Sequence, residues 1–119
     1  MDDQVDIRLL KSGKTRLRFK LNEEGYDLAR HAFSKTNYKY DNTALTFICE
    51  NYLMAEPCTW ALNGDAQGSY RLLVNVFPDE YEVIEHTLDI VREKFDSDAN
   101  SLAFMCLLFL DKLDQEGWF

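Results

Sequence analysis

The sequence predicts an α+β domain, mostly helical, built from two strand–helix–helix repeats that share a two-stranded antiparallel ribbon. Three observations predict it. One short stretch, 15–21, alternates polar and apolar residues with the period of a half-buried strand, and a second, 71–76, sets Leu72, Val74 and Val76 at the same spacing. Each is followed by a capped helical segment, a polar break and a second helical segment. The two stretches also align with one another in order. Leu17, Phe19 and Leu21 precede Leu72, Val74 and Val76 by fifty-five positions, as Tyr26 and His31 precede Tyr81 and His86. After a two-residue insertion, Leu45, Phe47, Cys49 and Leu53 answer to Leu102, Phe104, Cys106 and Leu110.

Each element follows from local chemistry. Thr15 to Leu21 is the first strand, and Asn22 is placed to cap a helix whose first turn carries Glu23 and Glu24. Leu28, Ala29, Ala32, Phe33 and Thr36 form its apolar stripe. Residues 37–41 break the pattern, and Asn42 or Thr43 can cap a second helix bearing Leu45, Phe47, Ile48 and Tyr52. The second copy runs from a strand at Arg71 to Val76, through Pro78 at a first-turn position, to a helix lined by Val83, Ile84, Leu88 and Val91. Phe95 to Asn100 is its break and Ser101 to Leu113 its final helix. Residues 1–119 therefore read as one domain, with repeats at 15–53 and 70–113 joined by a linker at 54–69 that contains Pro57, Gly64 and Gly68. Val5 to Leu9 alternates as well. Lys11-Ser12-Gly13-Lys14 can turn it back on the first strand, widening the ribbon.

Composition bounds the class. With 46% apolar residues in 119, the chain can bury a core, which excludes disorder and a disulfide scaffold as its organising principle. The longest apolar run, Leu102 to Leu110, is too short to cross a bilayer, and the N-terminus has no secretory pattern. Three scattered cysteines suit free thiols in a reducing cytoplasm. The net charge of −8 hides an asymmetry: the first third is net basic, and residues 41–119 are strongly acidic.

A strand followed by two helices, used in pairs, resembles the ribbon–helix–helix (Arc/MetJ-like) family of DNA-binding proteins. The resemblance covers residues 15–53 and 70–110 and rests on the alternating strand, on Asp27-Leu28-Ala29-Arg30, and on Asn42-Thr43-Ala44-Leu45. It implies a single-chain pseudo-dimer whose ribbon enters the major groove of double-stranded DNA. The matching outward positions are Arg16, Arg18 and Lys20 on one strand and Arg71, Leu73 and Asn75 on the other. It also implies a phosphate at the start of the second helix, around Asn42 and Thr43. The physics favours the first row independently, because arginine donates in bidentate fashion to guanine and clustered cations offset phosphate repulsion. Lys11 and Lys14 extend that positive edge.

The second copy departs from the pattern. Leu73 is a poor groove reader, and Asp96 and Asp98 in its turn would repel a phosphate. The blander reading of the basic strand is a solvated edge kept charged against aggregation.

Cys49 and Cys106 read as small core residues, and His31 and His86 lack zinc-like spacing, so no metal or cofactor is expected. No phosphate-cradling loop, nucleophile elbow or zinc helix supports catalysis, and the carboxylates of residues 79–98 read as a solvated face.

Leu107 and Leu108 stand where the first copy has Glu50 and Asn51. They imply cover by the linker with Trp60 or by the C-terminal Trp118 and Phe119, or else an interface, with a second copy in a homodimer or with a partner protein. The function expected is a double-stranded DNA-binding transcriptional regulator. The alternative is an acidic protein-interaction module or inhibitor, of phage or mobile-element type, that keeps the fold without DNA recognition.

Overall fold

The computed structural model describes residues 6–54 and 64–116. Three strands, β1 (Asp6–Leu9), β2 (Thr15–Leu21) and β3 (Tyr70–Val76), form one antiparallel sheet in that order. Four helices complete the fold: α1 (Glu23–Lys35), α2 (Asp41–Met54), α3 (Pro78–Val91) and α4 (Asp98–Glu116). Both β2 and β3 lead into two helices. No helix among the described residues is long and apolar enough to cross a membrane.

The sheet is built as alternation demands. Thr15, Leu17, Phe19 and Leu21 of β2 are buried against the helices, as are Leu72, Val74 and Val76 of β3. The two strands pair along their whole length, from Thr15 opposite Val76 to Leu21 opposite Tyr70. Burying each of the six apolar side chains in this set stabilises the fold by about 1.5–3 kcal/mol, so a register slip that turned them outward would be strongly disfavoured. β1 pairs with β2 from Asp6 opposite Arg18 to Leu9 opposite Thr15. The connecting turn closes through Leu10 N–H donating to the Lys14 carbonyl at 2.8 Å, with Gly13 at φ 88°.

Caps set the helix starts. The Asn22 side chain accepts from Gly25 N–H at 2.8 Å, leaving α1 to begin at Glu23. Pro78 opens α3, and Glu80 reaches back to accept the Phe77 N–H at 2.9 Å. Two starts differ from expectation. α2 begins at Asp41, ahead of Asn42 and Thr43, and α4 begins at Asp98 rather than Ser101. In both cases an aspartate opens the helix and an arginine holds it. Arg30 donates to Asp41 at 2.7 and 3.1 Å, and Arg92 donates to Asp98 at 2.8 and 2.9 Å.

α4 is the central helix. Ser101 to Cys106 are buried without interruption, and the helix packs on α1, α2, α3 and β2. Its apolar character is thus explained largely within the chain. Leu107 and Leu108 are half-buried, and Leu108 packs against the core. Trp60, Trp118 and Phe119, read as covers for this helix, lie outside the described residues.

The described end of the linker is part of the body. Ala66 is buried; its N–H donates to the Asn100 side chain, and its carbonyl accepts from Asn22 N–H, both at 2.7 Å. This short segment therefore ties the start of α1 to the start of α4. Gly68 passes so close that a Cβ there would sit 2.4 Å from the Asn22 Cα.

Candidate nucleic-acid interface

Inward burial of every second residue leaves the other row of each strand on the opposite face. Register then decides which outward side chains meet. Arg16 stands opposite Asn75, Arg18 opposite Leu73, and Lys20 opposite Arg71. On the other flank of β2, Arg8 stands opposite Arg16 and Asp6 opposite Arg18. The sheet thus gathers Arg16, Arg18, Lys20, Arg71 and Asn75 on one surface. β1 adds Arg8 and Asp6 to that surface, and neither had been singled out from the sequence as a site residue. Their signal was present in the alternation of residues 5–9 and the Lys11–Lys14 turn, which together set the register.

Among the described residues, five cations share this face with one carboxylate. Asp6 Oδ2 accepts from Arg18 Nε at 2.9 Å and from Arg18 Nη2, and it lies 3.8 Å from Lys20 Nζ. The Arg18 hydrogen bond, aided by the charge of Lys20, holds the Asp6 carboxyl below the usual carboxylate range. Arg16 Nε donates to the Asn75 side-chain oxygen at 3.0 Å, which orients its guanidinium along the sheet. Asp6, Arg8, Arg16, Arg18, Arg71 and Leu73 line an open depression of about 310 Å³. Four guanidiniums around one depression form a strong anion-attracting surface.

The remaining expected contacts lie apart from that depression. Lys14 caps the sheet's end, with its Nζ 4.6 Å from the centre of the Phe77 ring, and Lys11 is exposed in the turn. Asn42 donates to both Glu80 carboxylate oxygens at 3.0 and 3.2 Å, and Thr43 follows it on α2. The start of α2 therefore carries the carboxylates of Asp41 and Glu80 where the family resemblance implies a phosphate. At α4 the equivalent place holds Asp98, which is only 2% exposed and turned toward Arg92.

That last pairing amends the reading of the acidic helix in part. Asp79, Glu82, Glu93 and Asp96 are exposed as expected, but Glu85, Asp89 and Asp98 converge on Arg92. Asp98 first, and then Glu85, raise the guanidinium's affinity for its proton. Glu85 keeps one buried carboxylate oxygen without a hydrogen-bond partner.

Cys49 and Cys106 are fully buried, and burial pushes the Cys49 thiol up to about 12 and raises Cys106 as well. Cys58 lies outside the described residues. His31 and His86 are exposed, and no group of three or more metal-ligating side chains occurs among the described residues. Comparison of the chain with protein-family models, curated proteins and solved structures finds no match.

Proposed function

We propose that this chain is a single-chain ribbon–helix–helix-type protein that binds double-stranded DNA through its basic sheet face and serves as a transcriptional regulator. One observation carries the reading: Arg8, Arg16, Arg18, Lys20 and Arg71 share a single face in a chain whose net charge is −8. Cations clustered against the overall charge need a reason, and a polyanion supplies one. The pairing of β2 with β3 inside one chain, each strand leading to two helices, supports the pseudo-dimer reading.

In this reading β2 and β3 face the bases and β1 lies against one wall of the groove. Three strands span roughly 10 Å between their outer axes, which approaches the ~12 Å width of the major groove. Arg16, Lys20 and Arg71 then reach toward base edges, with Asn75 fixing Arg16. Arg18 contributes once it exchanges Asp6 for the ligand, and Arg8 meets phosphate. Lys11 and Lys14 add sequence-independent attraction.

The test is a titration of selected and random duplexes at two salt concentrations. Affinity falls steeply with salt, because each neutralised phosphate releases counterions. Arg16→Ala or Arg71→Ala costs about 1–3 kcal/mol and relaxes sequence preference. Lys11→Ala weakens all sequences alike, and Glu93→Gln leaves binding intact. Retention of no duplex at low salt would sink the proposal and return the acidic protein-interaction module.

A further inference from the structure

We infer that the free edge of β1 is a self-complementary surface on which a second copy of this chain adds its own β1, antiparallel and in one register. The inference does not rest on the DNA reading.

Three features of β1 point there. First, its outer edge has no strand beside it in the described sheet, whose order is β1-β2-β3. Leu10 N–H bonds to Lys14 across the turn. Backbone groups in an antiparallel pair alternate sides, so Arg8 and Asp6 also aim theirs at β2. Those of Ile7 and Leu9 are left on the open edge. Second, the side chains of Ile7 and Leu9 lie on the helix-facing side of the sheet yet remain 48% and 77% exposed. Their neighbours Leu17 and Thr15 on β2 are buried, so β1 overhangs the helical layer. Third, Asp6 and Arg8 occupy successive positions on the opposite face with opposite charge.

Charge selects the register. Opposed residues must share a face, which restricts antiparallel self-pairing to a few alignments. Centring the two-fold on Ile7 sets Ile7 opposite its own copy and each Asp6 opposite the other chain's Arg8. The neighbouring alignments centre on Arg8 or on Asp6, and each then sets like charges face to face. The Ile7-centred register also places the free backbone groups of Ile7 as a mutually hydrogen-bonded pair.

Arg8 gains most from this arrangement. Within the chain it faces Arg16, and among the described residues it has no counter-charge; the second copy's Asp6 supplies one. The other sheet edge offers no such selection, since self-pairing of β3 about Leu73 sets Arg71 opposite Asn75. A six-stranded dimer sheet, roughly 24 Å across, is wider than a major groove of ~12 Å. A second copy and a groove wall therefore exclude each other at β1.

Sedimentation equilibrium of the intact chain at about 200 μM, where a short but specific interface is populated, is expected to show twice the chain mass. An Asp6→Arg chain presents two cations along the edge and an Arg8→Asp chain two carboxylates. Each alone is expected to be monomeric, and an equimolar mixture to form the heterodimer. In a Cys58→Ser background, Ile7→Cys is expected to cross-link to its own copy under mild oxidation, and Leu9→Cys is not. A monomeric parent chain, association of Asp6→Arg alone equal to that of the parent, or equally fast cross-linking at both positions would each overturn the inference.

Discussion

Asp6 on β1 and Arg18 on β2 face each other across the strand pair, and a single carboxylate oxygen accepts both the Nε and the Nη2 hydrogen bonds of the guanidinium. The carboxylate thus engages the guanidinium at the centre of the basic face. Asp6→Asn is expected to raise duplex affinity roughly three- to tenfold at moderate salt and to steepen the salt dependence, because the polyanion then meets Arg18 and Lys20 without a carboxylate beside them. Because the Asp6 carboxyl is held below its ordinary value of 3.8, its ion pair supports β1 above that pH. The support fades as pH falls through the lowered value. Amide exchange of β1 followed between pH 5 and 2.5 checks this; protection lost already at pH 5 would contradict it.

Arg92 is the counter-charge of a nearly inaccessible aspartate. Replacing it by Met keeps the aliphatic stem and leaves Asp98 buried without its guanidinium. Loss of one partner from such a pair costs about 3–5 kcal/mol. Denaturant unfolding of Arg92→Met is expected to show a loss of that order, and Arg30→Met, whose partner Asp41 is more exposed, a smaller one. Equal losses would mean that burial is not what sets the cost.

Gly68 lies against the backbone of Asn22, where a methyl group has no room. Gly68→Ala is expected to cost about 1–3 kcal/mol, as overpacked sites do, while Gly64→Ala carries only the cost of its positive φ. Thermal unfolding of the two variants separates these effects. The same comparison tests whether the linker's end holds α1 and α4 together.

The Cys49 and Cys106 thiols are expected to resist thiol reagents in the native chain at pH 8 and to react on unfolding. Buried thiolates are disfavoured, so the unfolded chain releases its thiol proton first as pH rises. Stability contributed by Cys49 is therefore present below about pH 9 and declines toward pH 12. Cys49→Ala should flatten that decline; an unchanged slope would refute the assignment.

Much of the fold was legible because it rests on local periodicity. Strict alternation placed β2, the matching spacing of Leu72, Val74 and Val76 placed β3, Asn22 and Pro78 marked the starts of α1 and α3, and the turn at Lys11–Lys14 announced β1. What was not legible depended on partners distant in sequence or on direction of burial. Asp98 reads as a surface charge in a polar break, and only Arg92 six residues earlier explains why it lies inside and starts α4 early. Ala66 and Gly68 read as loop composition, although one is buried and the other is wedged against Asn22. Leu107 and Leu108 called for cover from the linker, the C-terminal residues or a second copy, but the helix packs against three others and a strand, which leaves them half-covered. Of the candidate interface, the basic row of β2 was visible, whereas the carboxylate that neutralises its middle required the register of β1.

The outward rows of β2 and β3 do not match: Arg16, Arg18 and Lys20 look across at Asn75, Leu73 and Arg71. Turning the ribbon end for end exchanges an arginine–asparagine pair for a lysine–arginine pair, and β1 flanks only one side. A homodimeric ribbon presents the same lettering in both directions, whereas this one has a head and a tail. Any extended partner it recognises must therefore be read in one direction, and a binding site would be an oriented, non-palindromic word.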